Sequence, residues 1–248
     1  MAREKVRTTV SVIGITLGVA VIVAIRMANQ SVTESFRVAV ESVSGQTSLS
    51  ITGVTGRLDE SRLEDASWLR QFGTVSPVVE TYAMTTEPPP GNAKSQSGIG
   101  RGELLHVLGV DVLVDLPIRE YQLLRTSRED RRPTARELLL LLTDPNAVIL
   151  TEKFAKRYGK EVDDEIELVF GSATKRLVVR GLLVDKGPAG ALGGNFALMD
   201  IAAAQWACDR LGLLDRVDIR LADGLDPDAT TGEIERRLPA GLIVTRPE

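Results

Sequence analysis

Cysteine and histidine are almost absent from this 248-residue chain, which holds one of each, Cys208 and His106. A single thiol excludes an internal disulfide and every multi-thiolate zinc or iron–sulfur centre. A single imidazole excludes H-E-x-x-H and three-histidine zinc chemistry. An excess of basic charge is missing too. With 30 Lys plus Arg against 34 Asp plus Glu, the net charge is −4, so no field attracts nucleic acid and none is expected as a partner. The remaining composition, 43% hydrophobic and 26% charged, is that of an ordinary globular protein of one large or two small domains.

What the chain does have is a concentrated apolar segment. Residues 10–25, VSVIGITLGVAVIVAI, carry no charge. A helix of about 18 residues rises roughly 27 Å, close to the thickness of bilayer hydrocarbon, so a transmembrane helix is expected here. Arg3, Lys5 and Arg7 precede it, while Arg26 and Arg37 after it are balanced by Glu34 and Glu41. The positive-inside rule therefore places the amino terminus in the cytoplasm and the rest of the chain outside. A cleaved signal peptide is the rival reading. No small-x-small pair follows the core, because Arg26 spoils the pairs at Ala24 and Ala28. Gly14 and Gly18 form a G-x-x-x-G pair, which makes them candidates for close helix packing in lipid, although lipid-facing glycines fit the same pattern. Ala28, Val32, Phe36, Val40 and Val43 continue one apolar stripe as far as Gly45, so the helix is expected to project as a stalk.

Residues 1–45 hold five basic and three acidic side chains, which leaves a net charge of −6 beyond them. There, strand-like and helix-like segments alternate. Strands are expected at 47–52, 77–85, 104–110, 147–150, 196–199, 217–221 and 242–245, with a hairpin of 166–170 and 176–183 around a turn at 171–175. Helices are expected from Leu58-Asp59 through Phe72, at 134–142, 152–158, 201–211 and 227–238. Asp59, Thr151 and Asp226 serve as caps, and Gly159 as a C-terminal glycine. The five leucines Leu138 to Leu142 read as too apolar for any face to be solvated. The strand at 47–52 and the strand at 242–245 are expected in one sheet, with helices 60–72 and 227–238 side by side on one face.

Few motifs carry chemistry. Ser172 to Lys175 has the S-x-x-K spacing of serine acyl enzymes, but it falls in a hairpin turn and lacks the downstream S-D-N and K-T-G. The loop bearing Gly187, Gly190, Gly193 and Gly194 lacks a following G-K-[ST] and leads into a strand, so it is no P-loop. The acidic run Glu161, Asp163, Asp164, Glu165 and Glu167 lacks calcium-loop spacing and reads as a solvated turn. Asp223, Asp226 and Asp228 fit a turn and a helix cap. His106 lies between apolar strand neighbours and reads as structural. Neither a catalytic residue nor a cofactor or metal ligand can be assigned.

Several stretches carry a family likeness: LGVAVIVAIRMANQSVTESF (17–36), SVSGQTSLSITG (42–53), LHVLGVDVL (105–113), AVILTEKFAKRYG (147–159) and ALMDIAAAQWACDRLGLLDRVDIRL (197–221). The chain resembles the start of a permease of the MacB-type ABC transporter superfamily, which includes the FtsX and lipoprotein-releasing permeases. The resemblance implies an α+β fold in which one transmembrane helix and stalk (1–45) carry a two-subdomain extracytoplasmic domain. A porter-like subdomain (46–113 and 215–248) would hold an inserted subdomain (114–214). It implies a non-enzymatic subunit of the inner or plasma membrane that pairs as a homodimer or heterodimer, contacts membrane lipid, and binds a separate cytoplasmic ABC ATPase, the partner that holds ATP. A periplasmic adaptor or lipoprotein is a further implied partner. Family members continue into three more spans, so a sequence stopping at Glu248 is expected to be an amino-terminal fragment. Export, extraction and control of cell-wall hydrolases all fit. Two other classes stay open: a self-contained, single-span binding or adaptor module, and an anchored hydrolase using Ser172 and Lys175.

Overall fold

Alternating apolar strands build the framework of the described residues. The computed structural model describes residues 46–63, 66–90, 102–119, 121, 123–126, 134–184, 190 and 193–246. In chain order the strands are β1 (Leu49–Gly53), β2 (Leu58–Asp59), β3 (Gly73–Thr85), β4 (Leu104–Val110), β5 (Leu123–Arg125) and β6 (Ala147–Thr151). They continue as β7 (Glu165–Phe170), β8 (Ala173–Leu183), β9 (Phe196–Asp200), β10 (Leu213–Leu214), β11 (Arg216–Leu221) and β12 (Leu242–Thr245). The helices are α1 (Val112–Arg119), α2 (Ala135–Thr143), α3 (Glu152–Tyr158), α4 (Ile201–Ala207) and α5 (Pro227–Arg237).

Ten strands share one sheet in the order β12-β1-β11-β3-β4-β9-β6-β8-β5, with β7 pairing to β3 and β8. β1 pairs antiparallel with β12, Ser50 opposite Thr245 and Gly53 opposite Leu242, so the strands expected to share a sheet are direct neighbours. β4 pairs in parallel with β9, so strands from the expected inserted region continue the sheet without a break. Period-two alternation sorts the side chains onto two faces. Leu49, Ile51, Val79, Val107, Ala197 and Val217 face one core, closed by Leu69, Phe154, Ala204 and Ile234. Val78, Leu108, Val110, Ile149 and Leu198 face the other, beneath Val112, Tyr121 and Leu141. Pro77 is tolerated inside β3 because the pairing with β4 stops at Val78 opposite Val110.

Four expectations need correction. The α-helix expected from Leu58 to Phe72 is replaced by β2, which pairs with β10, and by two 3₁₀ segments, Glu60–Leu63 and Ala66–Phe72. Asp59 still caps, accepting from the Ser61 N–H at 3.0 Å. Leu139 is 58% exposed, so the leucine run of α2 does have a solvated side; Thr134 starts that helix with a full capping box. α4 stops at Ala207 instead of Leu211, because Asp209 and Gly212 take left-handed conformations and β10 begins at Leu213. The hairpin turn is only Gly171-Ser172, Phe170 pairing with Ala173, and Gly171 at φ 59° supplies the positive first position that a tight primed turn needs. Lys175 is therefore in a strand. Among the described residues no helix is long and apolar enough to cross a membrane; the run 10–25, with Gly14 and Gly18, lies outside them.

Candidate functional site

Even-numbered positions of β3 and their neighbours carry a row of charged side chains across one sheet face. Asp218 and Arg216 alternate with the core residues Val217 and Ile219 on β11, and Ser50 and Ser76 stand opposite Asp218 on the flanking strands. α1 adds Asp115 and Arg119, one turn apart. Asp111 starts this helix by accepting from the Leu113 N–H at 3.1 Å. The Arg119 guanidinium donates to both Asp115 and Asp218, and all three are at most 2% exposed. Asp218 also accepts from the Ser50 hydroxyl and from Arg216 Nε at 3.1 Å. Arg216 reaches on to Glu80, whose other oxygen meets His106 Nε2 at 2.7 Å. His106 lies against Tyr82 and Phe196, with ring centroids 5.1 and 5.9 Å away. The polar chain thus leads from a fully buried interior to the exposed edge at Tyr82.

Its electrostatics differ from end to end. Burial raises the Asp115 carboxyl above its usual range, and Arg119 offsets this only in part. One Asp115 oxygen and the hydroxyls of Ser76 and Tyr121 are buried without a hydrogen bond of good geometry, although both hydroxyls are close enough to favour the ionised carboxylate. Burial also works to raise Glu80, but the His106 hydrogen bond and Arg216 charge outweigh it and hold its pKa at about 2. Burial works to lower Arg216, but Asp218 and Glu80 raise it above the ordinary guanidinium value.

Beside this row lies a groove of about 1010 Å³, lined by Tyr82, Ser172, Lys175, Trp206, Arg210 and Leu211 among others. Its floor is the edge of β3. The Glu80 N–H donates to Asp215 at 2.7 Å and the Glu80 carbonyl accepts from Arg210 at 2.8 Å, so two side chains stand where a strand would pair. Ser172 is exposed at the hairpin tip, and the Lys175 ammonium sits 3.7 Å over the Trp206 ring centre. The two residues of the S-x-x-K spacing are therefore not brought together as nucleophile and base. Cys208 accepts from Arg210 Nε at 3.1 Å on the same wall.

The other singled-out residues have local duties. Asp163 pairs with Arg180 at 2.7 Å, Glu167 with Arg176 at 3.2 Å, and Asp164 accepts from the Glu161 N–H. No metal-holding group of His, Cys, Asp or Glu occurs among the described residues. Asp226 caps α5 through the Ala229 N–H, and Asp228 meets Arg246. Gly194 accepts from the Thr151 hydroxyl at its carbonyl, while Gly187 lies outside the described residues. Sequence reasoning passed over Asp115, Arg119, Arg216 and Asp218. The available signal was an Asp–Arg pair at i,i+4 in an apolar stretch, and two charges on alternate positions of a core strand.

The fold is a mixed α/β one that resembles the extracellular domains of ABC-type transporters. The extracellular domain of the noncanonical ABC-type transporter YknZ from Gram-positive bacteria aligns with a TM-score of 0.53 at 12% identity, over 81% of this chain and 99% of that one. The periplasmic region of MacB from Actinobacillus actinomycetemcomitans aligns at 0.51 and 11% identity, over 84% of this chain and 91% of that one. Residues 8–237 match the MacB-like periplasmic core domain family, and the chain belongs to it. An uncharacterized ABC transporter permease protein of Mycobacterium tuberculosis is 28% identical over 237 residues, 93% of this chain. The chain spans 24% of that relative's length.

Proposed function

We propose that this chain is the amino-terminal part of an ABC transporter permease, whose extracytoplasmic domain moves in response to ATP hydrolysed by a separate cytoplasmic subunit. The observation that carries the reading is the pairing of β1 with β12. The domain is joined to the amino-terminal segment at β1, and its last strand returns beside it, so two stalks could meet one end of one sheet. The buried Asp115–Arg119–Asp218 cluster stands at that end, where the Gln46 N–H also donates to the Ile118 carbonyl at 2.7 Å. Force arriving at β1 passes through Ser50 and Asp218 into α1, a packed route of the kind that coupling needs.

In this reading residues 10–25 span the membrane with the basic tail in the cytoplasm, Gly14 and Gly18 face a neighbouring helix, and the permease pairs as a homodimer or heterodimer. The porter-like part (46–113 and 215–248) and the inserted part (114–214) move together. The chain binds no cofactor and breaks no bond; its substrates are exported or extracted molecules, or cell-wall hydrolases under its control. Co-expression of the full reading frame with a cytoplasmic ABC ATPase of the same organism tests this. A detergent-stable complex whose ATPase rate changes on Arg119→Met is expected. A chain that purifies without the ATPase in every nucleotide state overturns the reading in favour of a self-contained anchored module.

A further inference from the structure

The groove at the β3 edge has three features that the transport reading leaves unused. The first is an open rung of the sheet. The Thr85 N–H donates to Glu103, which turns odd-numbered residues of β3 towards β4 and even-numbered ones away. On the far side β11 pairs with β3 only up to Val78, and β7 begins only at Met84. Asp215 and Arg210 occupy the place beside Glu80, and by the same alternation the Tyr82 N–H and carbonyl face the groove, with no strand paired to them among the described residues. The second feature is apolar surface: Tyr82, Trp206 and Leu211 are 56%, 46% and 66% exposed. The third is charge. Arg57 and Lys175, both on the groove wall, have no carboxylate partner among the described residues, although the domain as a whole is acidic.

We propose that this groove docks an extended peptide segment of a partner protein, one that presents an acidic and a large apolar side chain. Its backbone pairs with Tyr82, which completes the interrupted sheet edge as in strand addition. Its apolar side chain covers Trp206 and Leu211, and its carboxylate meets Lys175 and Arg57. A peptide fits better than a lipid because an acyl chain laid over Tyr82 would bury a backbone donor and acceptor unpaired. The proposal does not depend on the permease reading, since a self-contained module would use the same groove.

Selection of displayed random octapeptides against the full chain in nanodiscs, followed by fluorescence anisotropy on the synthesised binders, tests it. Enrichment of sequences combining Asp or Glu with large apolar residues is expected. Trp206→Ala and Lys175→Glu should each weaken binding by about tenfold or more, rising salt should weaken it further, and N-methylation of one peptide amide should abolish it. Should either variant lose its native melting transition, Arg57→Glu in the exposed turn provides the same test. No enrichment, binders indifferent to these substitutions, or Trp206-dependent binding of anionic phospholipid vesicles in place of peptide would each overturn the proposal.

Discussion

At the scale of single residues, Glu80 links two environments, a half-open edge and a half-buried arginine that reaches the buried Asp218. Its carboxyl is held at about 2 against an ordinary 4.5, so between those values the folded state binds fewer protons than the unfolded chain. Stability contributed by the ionised group is therefore full above pH 4.5 and is lost as pH falls towards 2, a span worth about 3 kcal/mol at most. Asp115 acts in the opposite sense, because burial raises its pKa and acid relieves that cost. Glu80→Gln should flatten the acid limb and lower stability at neutral pH by roughly 2 kcal/mol, since Arg216 keeps Asp218 but loses a charged partner. Urea titrations at a series of pH values check this; parallel pH dependences for the two proteins would count against it. None of this was legible in the sequence, because Glu80 and Arg216 stand 136 positions apart and meet only through the β3–β11 register. His106 is buried among strand neighbours as its sequence context implies, yet its partner Glu80 lies on another strand.

At the scale of elements, what sequence reveals depends on how local the cause is. The cap at Thr151, the cap and proline opening α5, and the left-handed Gly159 that ends α3 are all set within a few residues, and all were legible. The 60–72 segment was misread although its signal was present. Leu63, Ala66, Leu69 and Phe72 recur at intervals of three, the period of a 3₁₀-helix, whereas an α-helical stripe alternates threes and fours. α1 was missed because its burial comes from the sheet face beneath it. Gly109 shows how closely helix and sheet approach: a Cβ there would lie 2.3 Å from the Ala204 Cβ on α4. Gly109→Ala should destabilise the protein by about 1–3 kcal/mol through overpacking. Adding Ala204→Gly should recover part of that loss by freeing the space, less about 1 kcal/mol for a helix glycine. Chemical denaturation of the single and double variants decides between this and a tolerant interface, in which Gly109→Ala alone is neutral.

For the whole molecule, the unbroken sheet from β12 to β5 and a core drawn from Leu49 to Ile234 argue that residues 114–214 fold cooperatively with the segments on either side of them. Element order and the family resemblance together point to the closure of β1 on β12, and that pairing holds although 3₁₀ segments replace the helix expected at the amino-terminal end. The joining of β4 to β9 was not legible, since a parallel pairing leaves no turn signature between its strands. Two tryptophans allow a direct test, because Trp68 reports the segment 46–113 and Trp206 the segment 114–214. In Trp206→Phe and Trp68→Phe backgrounds, fluorescence should give one common denaturation midpoint. Arg119→Met should then shift both probes by the same amount. Arg119 lies in the segment 114–214 and bonds Asp218 in the segment 215–248, so its loss leaves buried carboxylates short of a partner in both. Breaking such a cluster costs about 3–5 kcal/mol, whereas replacing Asp115, Arg119 and Asp218 together with apolar residues of similar volume should cost far less. Midpoints that separate, or an Arg119→Met effect confined to Trp206, would mean that the continuous sheet joins two independently stable halves.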